Sequence, residues 1–154
     1  LAGLKCAQIV FSNPAHAAVW DSHGLAALIE NSTSTLGAAA SVAAYTTGTP
    51  WLRSVVQQLK TNAQEVSRCI NELPMGVRCD VPEASYLAWL DFGSAEAVGG
   101  RSLADVLLKR GAVGVAPGEN FREHAEHCAR LNFAMSGLRL REALQRIRSC
   151  FVPC

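Results

Sequence analysis

Arg130 lies inside an apolar run, Ala129-Arg130-Leu131-Asn132-Phe133-Ala134, that reads as a short strand. Strand side chains alternate between faces, so Leu131 and Phe133 point one way and Arg130 and Asn132 share the other. A guanidinium keeps its proton, and in a partly dry place it needs an anion offering two acceptor oxygens. No acidic residue stands within three positions on either side. The anion is therefore a distant carboxylate of the protein or one carried by a ligand. The alternative is an arginine paired structurally or reaching water.

The lysines are few: Lys5, Lys60 and Lys109. Lys60 and Lys109 fall on predicted helices, on faces that water can reach. Lys5 follows Gly3 into a predicted first strand, where an ammonium can meet a phosphate as a point charge. His124, His127 and Cys128 form an H-x-x-H-C group in a loop that also carries Glu123 and Glu126. No second ligand pair sits at a recognised zinc spacing, so no metal site is expected. A G-x-S-x-G motif and a glycine-rich phosphate loop are both absent.

Several elements must position these groups. Asn13-Pro14 starts a helix expected to run to about Glu30, and the polar stretch 31–35 caps a second one, Leu36 to Thr47. That second helix is alanine-rich and charge-poor, which predicts burial on most sides. Thr49-Pro50 opens a third, in which Leu52, Val55, Val56, Leu59, Ala63, Val66, Ile70 and Leu73 form one stripe as far as the stop at Pro74-Met75-Gly76. Strands are expected over 5–11, 77–81, 86–92, 113–116 and 129–134. Ser102 and Asp105 predict a capped helix to Arg110 closed by Gly111. A last helix carries Leu140, Leu144, Ile147 and Phe151 on one side and Arg139, Arg141, Arg146 and Arg148 on the other.

The 154 residues suffice to bury about 70% of the unfolded surface. Of them 49% are hydrophobic and 18% charged, and 14 basic against 13 acidic residues leave a net charge of +1. That balance gives no pull toward nucleic acid or a membrane, and no aromatic residues interleave with the arginines of the last helix. No apolar stretch reaches the ~20 residues of a membrane span. Six cysteines at irregular spacing, without C-x-x-C, read as reduced packing residues of a cytoplasmic protein, although Cys150 and Cys154 are close enough in sequence to pair. The chain opens on Leu1, without a methionine and in the middle of what looks like a strand, as an excised or processed segment would.

Four segments, Leu1-Ala-Gly-Leu-Lys-Cys6, Pro82-Glu-Ala-Ser-Tyr-Leu-Ala-Trp-Leu-Asp-Phe92, Gly118-Glu-Asn-Phe121 and Arg130-Leu-Asn-Phe-Ala134, occur in that order. Together with Gly48-Thr-Pro-Trp-Leu52 and Asn62 they resemble the C-terminal part of fold-type I pyridoxal-phosphate enzymes. The specific likeness is to the MalY/PatB-type C–S β-lyases, relatives of the class I and II aminotransferases. The resemblance implies an α/β architecture: helices and the last strand of the large domain over residues 1–73, then a small α+β domain over 74–154. It gives Arg130 the α-carboxylate of an amino-acid substrate, Asn132 the support of that arginine, Tyr86 an aromatic place near the carboxylate, and Lys5 a contact to pyridoxal phosphate.

In this family the lysine that bonds covalently to the cofactor precedes the position of Lys5 and falls before Leu1. The resemblance therefore implies an enzyme as the parent, a PLP-dependent C–S lyase or aminotransferase. It implies an inactive, cofactor-free segment, partnered by the N-terminal part of the same enzyme and by a second copy in a homodimer. A non-catalytic interaction module is the rival reading. The resemblance breaks at Arg122, where the family usually has glycine.

Overall fold

The computed structural model describes residues 2–74, 76–94 and 98–152. The expected stop at Met75 and the possible Cys150–Cys154 pair therefore touch positions outside the described residues. Two compact units emerge, Leu1–Ser54 and Val55–Cys154.

The first unit opens with a 3-10 turn, Ala2–Leu4. Residues 5–11 form no strand, contrary to the alternation in the sequence. A ladder needs a neighbour, and the described residues of this unit supply none. Lys5 instead takes a left-handed backbone (φ 54°), and its carbonyl accepts from the Ser34 amide.

Helix α1, Pro14–Ser22, starts as predicted, with Asn13 Oδ1 accepting from the Ala15 amide at 2.8 Å. It ends early. The Ser22 hydroxyl turns back to the Val19 carbonyl, His23 is extended, and the chain re-enters a helix only at α2, Ala26–Asn31.

Helix α3, Thr35–Thr47, is capped by Ser34 but is not buried on most sides. Leu36, Val42 and Tyr45 are 74%, 64% and 78% exposed, and Gly37 alone is buried. A Cβ at Gly37 would collide with the Leu4 carbonyl and Cys6, so glycine there lets the opening turn lie against the helix. The low charge of α3 thus marks an uncovered surface, not a core helix.

Helix α4, Thr49–Asn71, spans 23 residues, about 34 Å. Its buried positions in the second unit are Asn62, Ala63, Val66 and Ile70. They join a core made with Leu90, Leu103, Leu107, Leu131, Phe133, Leu140 and Ile147. Around that core stand β1 (Leu87–Asp91), α5 (Leu103–Gly111), β2 (Ala116–Pro117), β3 (Cys128–Asn132) and α6 (Gly137–Ser149). The sheet order is β1-β3-β2, antiparallel throughout, with Trp89 and Ala116 both opposite Arg130.

Residues 77–81 make a single bridge, Arg78 with Asp91, and no strand. Side chains of α4 satisfy the next backbone groups in place of a ladder. Asn71 Oδ1 accepts from the Cys79 amide at 2.9 Å, while the Ser67 hydroxyl and Asn71 Nδ2 donate to its carbonyl at 2.6 and 3.0 Å. Burial pushes the Cys79 thiol up to about 11, which keeps it protonated and inert.

Two helix ends also differ from expectation. Ser102 stands at the N-cap of α5, but its hydroxyl makes no cap bond, and Oγ is buried without a partner among the described residues. At the other end Gly111 is the last helical residue, and the left-handed position falls on Ala112 (φ 52°). Glycine is needed at 111 for space, since a Cβ there would lie 2.8 Å from Cys150 Sγ and 3.1 Å from the Arg146 carbonyl. Ala112 consequently carries a left-handed strain of about 1 kcal/mol. Ala112→Gly is expected to stabilise the protein by about 0.5–1 kcal/mol, read as a higher denaturant midpoint with an unchanged slope.

Candidate functional site

The alternation read from the sequence is present in β3: Leu131 is 2% exposed and Phe133 1%, Arg130 is half-buried and Asn132 exposed. Pairing with β1 sets Leu87, Trp89 and Asp91 opposite Asn132, Arg130 and Cys128. These six residues line the sheet face away from the core.

Arg130 is steadied there by an aromatic ring. Its Cζ lies 4.3 Å from the centroid of Phe121, in the loop between β2 and β3. Phe121 in turn meets Trp89 edge-to-face, with centroids 5.9 Å apart at 78°. None of the ion pairs among the described residues includes Arg130. The guanidinium is thus held by an aromatic face, with no carboxylate partner among the described residues.

The loop that brings Phe121 here is folded tightly. Gly118 opens a 3-10 turn, Gly118–Asn120, and a Cβ on it would strike the Ala125 carbonyl and come within 2.8 Å of the Cys128 Cβ. A surface hollow of about 480 Å³ beside Trp89 is bordered by Arg78, Asp80, Pro82, Leu87, Asp91 and Arg122. It carries two arginines and two aspartates, with Arg78 3.8 Å from Asp80.

The other residues singled out in the sequence lie elsewhere. Asn132 shares the face with Arg130, but its Oδ1 accepts from the Ala134 amide at 2.9 Å, closing the turn after the strand. Tyr86 is 46% exposed and lines a different hollow of about 260 Å³, with Val56, Leu59, Lys60 and Ala63 of α4. Its carbonyl accepts from the Phe133 amide at 3.0 Å. Lys5 belongs to the first unit and is exposed. Lys109 is paired with Asp105 at 3.3 Å.

Trp89 and Phe121 carried no role in the sequence reading. Alternation within the strand could have put Trp89 outward, but only the register sets it against Arg130.

Buried Asn62 is the other residue whose role was missed. Its Nδ2 donates to the carbonyls of Phe133 and Met135, both at 2.9 Å, and its Oδ1 accepts from Gln58 at 2.8 Å. It ties α4 to the chain immediately after β3.

No protein-family model matches the chain. It is 37% identical over 148 residues to cystathionine beta-lyase of Corynebacterium glutamicum, covering 96% of this chain and 38% of that protein. It is also 37% identical over 108 residues to cystathionine beta-lyase PatB of Bacillus subtilis, covering 70% of this chain and 27% of that protein. A crystal structure from Corynebacterium diphtheriae, assigned as a PLP-dependent beta-cystathionase, superposes with a TM-score of 0.86 at 35% identity. It covers 98% of this chain and 39% of that one. The chain thus spans well under half the length of the relatives it matches. On sequence similarity and shared fold, it belongs to the MalY/PatB-type cystathionine beta-lyase family of fold-type I pyridoxal-phosphate enzymes.

Proposed function

We propose that this chain supplies the amino-acid-holding part of a pyridoxal-phosphate-dependent C–S β-lyase, with Arg130 taking the substrate's α-carboxylate. The observation that carries the reading is a half-buried guanidinium, steadied by Phe121 and lacking a carboxylate partner among the described residues. Two parallel N–H donors of such a fork match the two oxygens of a carboxylate. An aminotransferase acting on amino acids would need the same clamp.

Lys5 can contribute one cation to a phosphate, and Tyr86 and Asn132 are kept as residues near the substrate. In this reading, as the family resemblance implies, covalent attachment of the cofactor belongs to a lysine upstream in the parent. Pyridoxal phosphate, when bound, supplies the electron sink for bond breaking at Cα. The contribution of this chain is orientation: with the carboxylate fixed, rotation about the bond to Cα is limited and the Cα–H bond stays aligned for proton loss.

In this reading residues 1–73 belong to the large domain and 74–154 to the small one, the remainder of the enzyme is the N-terminal partner, and the parent works as a cytoplasmic homodimer. A non-catalytic interaction module is the second reading, favoured by the exposed apolar side chains of Leu36, Val42, Tyr45 and Trp51.

The intact parent, given L-cystathionine and pyridoxal phosphate, should release pyruvate, ammonia and a thiol, and the isolated chain should give neither turnover nor a visible band of bound cofactor. An intact parent that binds no cofactor would favour the interaction module.

Phe121 is the positioning residue. Phe121→Leu keeps the bulk and removes the ring, a loss of about 0.5–1 kcal/mol at a partly exposed site. The expected result in the intact enzyme is a KM raised about two- to fivefold with kcat near wild type, and recovery in Phe121→Tyr.

A further inference from the structure

One cluster on the same sheet face takes no part in holding a carboxylate. Asp91 at the end of β1 faces His127 and Cys128 at the start of β3, and one ligand atom from each lies within 4.8 Å of the others. His127 Nε2 is 3.8 Å from Asp91 Oδ1.

The backbone fixes all three. Asp91 Oδ1 accepts from the Gly93 amide at 2.8 Å, the His127 carbonyl accepts from Phe92, and the Cys128 amide donates to Ala125. Cys128 is fully buried, His127 is 17% exposed at its side chain, and Asp91 is 36% exposed. The set is closed on the protein side and open to water on one other. The H-x-x-H-C pattern pointed to His124, but in the fold Asp91 of the neighbouring strand completes the group.

We propose that Asp91, His127 and Cys128 form a zinc-class metal site, with the fourth position left to water. Imidazole nitrogen, thiolate sulfur and carboxylate oxygen are the three ligand types of Zn²⁺, and three protein donors plus water complete its tetrahedron. A thiolate and an imidazole are poor ligands for calcium or magnesium, which take oxygen. Binding forms a metal–sulfur bond and expels the Cys128 proton to solvent. The ion would join the ends of β1 and β3 next to the 118–127 loop.

The test is a titration of the chelator-treated, reduced chain with Co²⁺, whose thiolate complexes absorb strongly, followed by displacement with Zn²⁺. One equivalent should give a charge-transfer band, with about one proton released and a raised Tm under Zn²⁺. Cys128→Ser should abolish the band. His127→Ala, at a more accessible position that leaves the core intact, should weaken Co²⁺ binding at least about tenfold. Absence of the band in the wild-type chain would overturn the site. Its persistence in Cys128→Ser, or an unchanged affinity in His127→Ala, would assign the metal to other thiols and overturn it equally.

Discussion

Replacing Arg130 with alanine in the intact enzyme should lower kcat/KM toward amino-acid substrates by about 10²–10³-fold. Each hydrogen bond from a charged donor is worth about 1.5–3 kcal/mol, and the fork makes two. Part of the loss is offset by water entering the vacated space, leaving about 3–4 kcal/mol, at 1.36 kcal/mol per decade of rate. Arg130→Lys keeps the charge but not the paired geometry and should fall between the two.

The substitution should leave the fold intact, because the side chain points away from the core and its neighbours Ala129 and Leu131 carry the packing. An analogue lacking the α-carboxylate separates the clamp from general damage: its turnover should be equal in wild type and Arg130→Ala. An unchanged kcat/KM toward the carboxylate-bearing substrate would remove Arg130 from the site.

What was legible in the sequence followed from short periods. Two-residue alternation through 129–134 put Leu131 and Phe133 inside and Arg130 outside, and the stripe through Ala63, Val66 and Ile70 placed the buried side of α4. The alternation over 5–11 and 77–81 misled because alternation does not supply a partner strand. At Cys79 the backbone found Asn71 and Ser67 instead of a neighbour.

Low charge in α3 was read as burial, whereas it accompanies an exposed face. Gly111 and Ala112 show a second limit: glycine marks a need for either torsional freedom or space, and only coordinates tell which. Relations across the fold, such as Asp91 with Cys128 or Phe121 over Arg130, depend on register and loop path. Neither has a local signature.

Asn62 is where the largest loss of stability is expected. A polar side chain in a core is tolerated when every group is paired, and Asn62 uses both amide protons and its oxygen. Asn62→Ala takes the donor from the Met135 carbonyl, leaves the Phe133 carbonyl with only the Met135 amide at 2.8 Å, and removes the acceptor for Gln58. The unpaired Met135 carbonyl costs about 1–3 kcal/mol and the lost second bond to Phe133 about 0.5–1.5 kcal/mol, so the total should reach about 2–4 kcal/mol. A loss of that size takes a large share of a typical domain's stability.

Asn62→Leu fills the volume better but leaves the Met135 carbonyl unpaired, so it should recover little. Asn62→Asp keeps an oxygen for Gln58 but, as an acceptor facing two carbonyls, should be at least as damaging as alanine at neutral pH. Chemical denaturation monitored at the tryptophans would measure these differences. A cost below about 1 kcal/mol for Asn62→Ala would mean that water reaches the Met135 carbonyl and that α4 is secured to the end of β3 by apolar packing alone.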